Sequence, residues 1–207
     1  MSLFITFEGA DGCGKTTQIE LLNKYLQEKG FKTLVTREPG AKGLGEKLRE
    51  ILLNYDGEVS PNCESFLFLA DRAQHVDCVI KPALKDGVTV LCDRHTDSTV
   101  AYQGYGRQLD IEQIKKLNEI AVNGLKPDLT IVFDIDIETS MQRVGKTKDR
   151  MESAGMDFFN RVRNGYLAIA KEEPNRVKVI NSEDTIERIH EKVVEEVNLI
   201  VNFLSTN

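Results

Sequence analysis

The sequence predicts an α/β fold in which a doubly wound, five-stranded parallel sheet is flanked by helices. Strand and helix patterns alternate along all 207 residues, which is typical of βαβ units with right-handed crossovers. Several strands are nearly unbroken apolar runs, as expected for parallel strands covered on both faces. A glycine-rich turn also joins the first strand to the first helix. The length favours a single domain spanning residues 1–207.

The predicted strands are short runs rich in apolar and β-branched residues. They lie at residues 3–7, 32–36, 88–92, 129–133 and 177–180. Charged side chains follow three of them directly, at Arg37-Glu38, Asp93-Arg94 and Asp134. Ligands of such folds bind beyond the carboxyl ends of the strands. These strand ends are therefore candidates for a functional site.

The predicted helices have apolar residues at helical spacing, such as Ile19, Leu22 and Leu26 on one face. Glycines at 30, 87 and 124 end three of them. The helices lie at 17–26, at 44–53, from Pro61 to before Gly87, and at 111–123, 138–143, 158–171 and 186–204.

A phosphate-binding motif lies between the first strand and the first helix. Residues 9–16 fit G-x-x-x-x-G-K-[ST], a pattern that aims backbone N–H groups and a helix dipole at one anion. Lys15 is placed to reach the β- and γ-phosphates, and the Thr16 hydroxyl to bind Mg²⁺. The residues expected to hold the nucleotide here are Gly9, Ala10, Asp11, Gly12, Cys13, Gly14, Lys15, Thr16 and Thr17.

Composition excludes several classes of partner. A net charge of −6 argues against nucleic-acid binding through a general basic surface, so phosphate chemistry must depend on a few placed cations. No apolar run approaches the ~20 residues of a membrane span, and no leader precedes the first strand. We therefore expect a cytoplasmic protein without a membrane partner.

The cysteines and histidines have no metal-ligand spacing. We expect Cys13, Cys63, Cys78 and Cys92 to be buried or half-buried reduced thiols. A zinc site built from these residues and the three histidines is not expected.

A phosphate loop alone is compatible with several classes of protein. A GTPase needs an N-K-x-D sequence after the loop, and none occurs. Motor and transport ATPases are usually larger chains. A small kinase needs an acceptor pocket and a lid, for which this chain has candidates, so this class is favoured.

Eight short motifs together match a known family. In chain order they are Glu8–Thr17, Thr36–Gly40, Leu69–Arg72, Asp93–His95, Ser98–Thr99, Ala101–Gly104, Pro127–Leu129 and Asp157–Arg163. On these motifs, nearly the whole chain resembles the thymidylate kinase family of P-loop nucleoside-monophosphate kinases. The resemblance implies a P-loop kinase fold with a short lid, and ATP-dependent conversion of dTMP to dTDP. It also implies a requirement for Mg²⁺ and a homodimer. The helix from Phe66 to Ile80 could supply a self-complementary patch.

Two residues that directly follow the predicted strand at 88–92 are candidates for binding phosphate and Mg²⁺. The resemblance implies that Arg94 contacts the acceptor phosphate, for which a guanidinium is well shaped. Asp93 ends its strand like a Walker-B acid and could hold Mg²⁺ through water. The alternative is that both side chains only pair with structural neighbours.

The acceptor pocket has further candidates. The resemblance implies that Asp11 contacts the acceptor sugar, although a hydrogen bond that stabilises the loop is an alternative. Phe68 and Arg72 lie four apart on one helix face, where Phe68 could stack on a pyrimidine and Arg72 could bond a base carbonyl. Phe68 could equally be a core residue, and Tyr166 could serve surface packing rather than pocket closure. The other expected wall residues are Glu38, Pro39, Ser98, Thr99, Tyr102 and Gln103.

A polar, basic segment predicts a lid at about 143–155. Family members with glycine at position 12 place catalytic cations in the lid, and the cations here are Arg143, Lys146, Lys148 and Arg150. We expect Lys146 and Arg150 to be catalytic and Arg143 to contact ATP. A solvated flap without a catalytic role is the alternative.

Other functions stay open at this stage. The chain could be a kinase for dUMP or a deoxynucleoside, or a nucleotide-binding regulator without catalysis. A regulator would need neither Asp93-Arg94 nor a basic lid.

Overall fold

Five parallel strands form one sheet in the spatial order β2-β3-β1-β4-β5. The computed structural model describes residues 2–143 and 155–205, with the side chains of 203–205 left out. The strands are β1 Phe4–Gly9, β2 Thr33–Arg37, β3 Thr89–Asp93, β4 Leu129–Asp134 and β5 Val177–Asn181. The predicted doubly wound α/β fold is thereby confirmed.

Helices connect the strands. They are α1 Lys15–Glu28, α2 Leu44–Asn54, α3 Pro61–His75, α4 Lys81–Lys85, α5 Thr96–Thr99, α6 Ile111–Val122, α7 Ile137–Arg143, α8 Met156–Glu172 and α9 Ile186–Ser205. A π-helical segment, Val76–Ile80, joins α3 to α4, so the long helix predicted after Pro61 is one continuous run. A second π-helical segment, Val100–Gly106, continues α5.

The helical stretch from Thr96 to Gly106 was not predicted from sequence. It contains two glycines, and its polar and apolar residues do not form a clear amphipathic stripe. Ala101 and Tyr102 instead pack in a core cluster with Phe158 and Val162 of α8. Tertiary packing rather than local propensity therefore stabilises this helix.

The two faces of the central strand β1 differ. Ile5 and Phe7 belong to the apolar cluster formed with α1 and α9. The alternate residues Phe4, Thr6 and Glu8 point to the opposite face and are all buried. Glu8 thus brings a carboxylate into the interior at the carboxyl end of the strand.

The expected burial of the cysteines is half wrong. Cys13 and Cys92 are buried, but Cys63 and Cys78 are exposed on helical segments. Phe66 is also 58% exposed, although its position fits the apolar spacing of its helix. Helical spacing reports the face of a side chain but not whether another element covers it. No helix among the described residues is long and apolar enough to cross a membrane.

Candidate functional site

Three glycines of the phosphate loop have backbone angles in the region that favours glycine. Gly9, Gly12 and Gly14 have φ values of 132°, 76° and 93°. A Cβ on Gly9 would lie 2.6 Å from the carbonyl oxygen of Phe133, so no larger residue fits there. The first turn of α1 has no side-chain cap and no acidic residue. Its N–H groups are therefore suited to bind an anion.

Lys15 lies inside this loop. Its ammonium donates to the carbonyl oxygens of Gly9 at 3.2 Å and Ala10 at 3.0 Å, and only 6% of the residue is exposed. The buried thiol of Cys13 is 3.7 Å away. Thr16 and Thr17 are exposed at the start of α1. The loop thus holds a positive charge where the motif predicts phosphates.

A cavity of about 270 Å³ adjoins the loop, and we refer to it as the arginine-lined pocket. It is lined by Asp11, Thr16, Arg37, Glu38, Pro39, Arg49, Leu53, Phe68, Arg72, Asp93, Arg94, Ser98, Thr99, Tyr102 and Gln103. Of these, Arg49 and Leu53 were not expected at the site, and Arg37 was expected only as a strand-end residue without an assigned role. Arg37 is opposite Asp93 at the carboxyl edge of the sheet, and that position was a usable signal. Arg49 and Leu53 lie on α2, and no feature of the sequence indicated that they line the pocket.

Asp11 connects the pocket to the loop. Its Oδ1 accepts a hydrogen bond from Nη2 of Arg94 at 2.7 Å and lies 3.9 Å from Nζ of Lys15. Burial opposes ionisation, but these two cations lower the pKa of Asp11 to about 2. The Ser140 hydroxyl on α7 donates to the Asp11 carbonyl at 2.6 Å. A carboxylate can therefore lie beside the phosphate site because its charge is paired.

Arg94 has an uncommon backbone conformation, with φ of 68° directly after β3. Its Nη1 donates to the hydroxyls of Ser98 and Tyr166, each at 3.3 Å. The guanidinium lies 5.0 Å from the centre of the Tyr102 ring. These contacts hold the side chain in the pocket wall. Arg94 therefore both pairs with neighbours and faces the cavity.

Glu8 lies next to this arrangement, and sequence reasoning gave it no role. Its carboxylate accepts the His95 N–H at 2.7 Å and the hydroxyls of Ser98 and Tyr166 at 2.5 and 3.0 Å. Burial, together with the charge of Asp97, raises the pKa of Glu8 to about 7 against the opposing effects of Ser98, Arg94 and His95. The alternation of side chains along β1 could have predicted that Glu8 is buried. It could not have predicted which residues Glu8 contacts.

Arg72 is more fully engaged than the prediction assumed. It donates to Glu38 at 2.8 Å, and to Thr99, Asn118 and the His95 carbonyl at 2.7 Å each. Four of its five N–H groups therefore have partners among the described residues. Arg72 lines the pocket, but it has at most one N–H left to read a base.

Glu38 binds Arg72 and two histidines rather than simply forming a wall. Its Oε1 lies 2.9 Å from Nδ1 of His75 and 3.0 Å from Nδ1 of His95. Although burial opposes ionisation, Arg72 and the histidines keep the pKa of Glu38 well below its usual value. Glu38, His75 and Cys92 also bring three potential metal donor atoms within 4.8 Å. The spacing of these residues in the sequence did not indicate this proximity.

The remaining predicted wall residues line the cavity, except Tyr166. Phe68 is half-buried in the pocket wall, and Gln103 donates its amide N–H to Glu64 at 3.0 Å. The Tyr102 hydroxyl is buried with no hydrogen-bond partner among the described residues. Tyr166 does not line the pocket but lies behind Arg94, because its hydroxyl is bound to Glu8.

A magnesium ion fits the donors at the junction of loop and pocket. Thr16 and Asp93 both line the cavity. Among the described residues, Asp93 Oδ1 is a buried oxygen without a hydrogen-bond partner. A hydroxyl and a carboxylate are the oxygen donors that Mg²⁺ prefers.

The predicted lid can be followed only at its start. Arg143 ends α7, and its Nη1 donates to the carbonyl of Ser182 at 3.4 Å, beyond the carboxyl end of β5. Lys146, Lys148 and Arg150 lie outside the described residues. Their predicted roles stay predictions.

Comparison with known proteins gives a consistent result. The family model described as thymidylate kinase matches residues 7–193. A thymidylate kinase of Desulfovibrio desulfuricans is 48% identical over 87% of this chain and 88% of its own length. One from Pelotomaculum thermopropionicum is 47% identical over 99% of this chain and 97% of its own. The crystal structure of thymidylate kinase from Ehrlichia chaffeensis superposes with a TM-score of 0.79 at 37% identity, covering 95% of this chain and 98% of that one.

Proposed function

Because the chain belongs to the thymidylate kinase family, we propose that the arginine-lined pocket binds dTMP and that the phosphate loop binds ATP. The enzyme transfers the γ-phosphate of ATP to dTMP, giving dTDP and ADP. One observation carries the assignment of the two sites. Asp11 and Thr16 belong to the loop and also line the pocket, so two bound nucleotides would meet there.

The reaction needs charge control rather than a general base. The attacking group is a phosphate oxygen that is largely ionised near neutral pH, since its second pKa is about 6. Two anions that repel must be aligned, and charge on the transferred group must be stabilised. Lys15 and the amides of α1 hold the triphosphate. Arg94 holds the dTMP phosphate, with Arg37 and Arg49 adding positive charge in the same cavity.

Asp11 and Tyr102 receive the deoxyribose in this proposal. The Asp11 carboxylate stays ionised at every physiological pH and can accept a sugar hydroxyl. The Tyr102 ring is held by Phe158, Phe159 and Tyr166 at centroid distances of 6.0 to 6.5 Å. A ring so fixed can exclude a 2′-hydroxyl by its bulk.

The base lies at the other side of the pocket. Phe68 stacks on the pyrimidine, and Thr99, Gln103 and the remaining N–H of Arg72 read its edge. Ser98, Glu38 and Pro39 complete the wall. Glu38 acts by orienting Arg72 through the 2.8 Å contact between them.

Thr16 and Asp93 would hold the Mg²⁺ ion that the family uses. When bound, the ion neutralises phosphate charge. The residues of the chain do the rest of the positioning described here.

The lid at 143–155 completes the site in our proposal. Arg143 contacts ATP near the end of β5, and Lys146 and Arg150 contact the transferring phosphoryl group. Closure over the nucleotides would exclude water and so limit wasteful hydrolysis of ATP.

We further propose a single-domain, cytoplasmic enzyme that forms a homodimer and has no nucleic-acid or membrane partner. The exposed apolar side chain of Phe66 on α3 supports self-association, because a twofold axis through such a helix buries the patch against itself. Four unpaired thiols are consistent with a reducing compartment.

A substrate panel tests the proposed sites. Purified protein would receive ATP, Mg²⁺ and either dTMP, dUMP, dCMP or thymidine, with ADP release measured. We expect dTMP to be the best acceptor, and Phe68→Ala to raise KM for dTMP more than KM for ATP. An unchanged KM for dTMP in Phe68→Ala would contradict the pocket assignment. Ile120→Ala on α6, whose side chain is 76% exposed and has no role in the proposal, is the matched control for loss of an apolar side chain.

A further inference from the structure

Glu8 is a fully buried carboxylate one residue before the phosphate loop opens at Gly9. It does not line the arginine-lined pocket. Burying a carboxylate is costly, and the raised pKa of Glu8 reflects that cost. The groups that face it are Asp97, Arg94, His95, Ser98 and Tyr166. An apolar or amide side chain would avoid this cost.

We propose that Glu8 is a positioning residue for the acceptor phosphate, acting through the hydroxyls of Ser98 and Tyr166 on Arg94. Both hydroxyls contact Oε2 of Glu8, and both contact Nη1 of Arg94. Glu8 is thus joined to the guanidinium through two parallel routes, each with one hydroxyl between the carboxylate and Nη1, which lies 3.3 Å from both hydroxyls.

The direction of the hydrogen bonds explains why a carboxylate is needed. An ionised carboxylate only accepts hydrogen bonds, so it draws the hydroxyl hydrogens of Ser98 and Tyr166 toward itself. The 2.5 Å contact to Ser98 has the length of a charge-assisted hydrogen bond. The oxygen lone pairs of both hydroxyls then face Arg94, whose Nη1 can only donate. The two hydroxyls also lie 2.9 Å from each other, where either could donate. With both hydrogens held by Glu8, neither hydroxyl donates to the other, and both are acceptors for the guanidinium.

The hydrogen bond of the other carboxylate oxygen, Oε1, determines how a glutamine at position 8 would be oriented. Oε1 accepts the backbone N–H of His95 at 2.7 Å. In a Glu8→Gln variant, the amide oxygen must take that position, because an NH₂ group cannot accept the N–H. The NH₂ group then faces Ser98 and Tyr166 and donates to one lone pair of each hydroxyl, so neither hydroxyl hydrogen can point at residue 8. One hydrogen can point at the other hydroxyl, 2.9 Å away, and the remaining one turns toward Arg94 and loosens its hold.

Thymidine and dTMP separate this role from a merely structural one. Both have the same base and sugar, but only dTMP has the phosphate assigned to Arg94. We expect Glu8→Gln to lower kcat/KM for dTMP by about 10- to 100-fold, the equivalent of a lost hydrogen bond to a charged group. The dissociation constant of thymidine, measured by calorimetry, should change less than about twofold. Tyr166→Phe removes one of the two routes and should have a smaller effect of the same kind.

Tyr25→Phe is the matched control, since it removes a tyrosine hydroxyl that bonds Asn198 far from the pocket. Thymidine affinity that falls as much as dTMP activity would overturn the inference in favour of a structural role. Unchanged dTMP activity in Glu8→Gln would overturn it outright. If Glu8→Gln does not fold, the same comparison in Tyr166→Phe decides, and loss of thymidine affinity there would equally refute it.

The inference depends on the proposed contact between Arg94 and the acceptor phosphate, and Arg94→Ala tests that contact separately. If Arg94→Ala prefers dTMP over thymidine as strongly as the unmodified enzyme does, the proposed site is wrong. If Arg94→Ala loses that preference while Glu8→Gln keeps it, the site holds and only the role of Glu8 fails.

Discussion

Arg94 and Asp11 form a 2.7 Å ion pair that joins the end of β3 to the phosphate loop. The pair ties the residue assigned to the acceptor phosphate to the loop assigned to the donor. We expect Asp11→Asn to lower kcat about tenfold or more, since an uncharged partner holds Arg94 less firmly. Steady-state kinetics with dTMP would measure it. A kcat within twofold of the unmodified enzyme would mean that the pair does not align the two nucleotides.

Lys15 contacts its own loop and contributes little elsewhere in the fold, since its ammonium donates to Gly9 and Ala10. Lys15→Ala should therefore leave Tm within a few degrees but lower kcat by about 100-fold or more. Thermal unfolding and ADP release would measure the two effects. Lys24→Ala on the exposed face of α1 is the control and should keep full activity. Comparable activity in both variants would refute the role of Lys15.

The basic lid gives a prediction about kcat against ATP affinity. Alanine at Lys146, Lys148 or Arg150 should lower kcat more than it weakens ATP binding, because charge on the transferring group is stabilised mainly in the transition state. Lys85→Ala, at the end of α4, serves as the control for removal of a basic residue elsewhere. If all three lid variants keep the original kcat, the segment is a solvated flap without catalytic function.

Glu8 should make stability depend on pH. Its pKa of about 7 in the folded protein exceeds the ordinary value of 4.5, so between these pH values the folded chain binds the extra proton. Stability from this group is therefore present near pH 4.5 and is lost as the pH rises through 7, by on the order of 3 kcal/mol. The Glu8→Gln variant does not lose this unfolding free energy, because a glutamine side chain does not titrate.

Urea unfolding at pH 5 and pH 8 would measure the effect. The unfolding free energy of Glu8→Gln relative to the unmodified protein should be higher at pH 8 than at pH 5. The same relative stability at both pH values would mean that Glu8 titrates normally. Activity should move the other way, because the proposed positioning role needs ionised Glu8, which forms above pH 7.

The sequence predicted the parts of the site that depend on neighbouring residues. Gly9, Gly14 and Lys15 form a contiguous motif whose backbone conformation is local, so the loop and its strand–helix context were predicted correctly. Asp93 and Arg94 were identified because strand ends meet at one edge of a parallel sheet. The helix from Thr96 to Gly106 was missed because its stability comes from packing on α8.

The partners of buried polar side chains could not be predicted in this way. Arg72 was expected to face a base, yet Glu38, Thr99 and Asn118 occupy most of its donors. These partners come from separate segments that only the folded chain brings together. Tyr166 lies behind Arg94 for the same reason, since its hydroxyl reaches Glu8 across 158 positions of sequence.

The order of residues by itself determined the fold class and the phosphate loop, because backbone preferences and strand ends depend on local sequence. Most residues of the expected pocket wall came from the family resemblance, and the folded structure brings them around one cavity. The tertiary structure alone decided which charges are paired, as for Asp11 with Arg94 and for Glu8 with two hydroxyls. A hydrogen bond needs two groups at one point in space, and strand order and helix packing set those points.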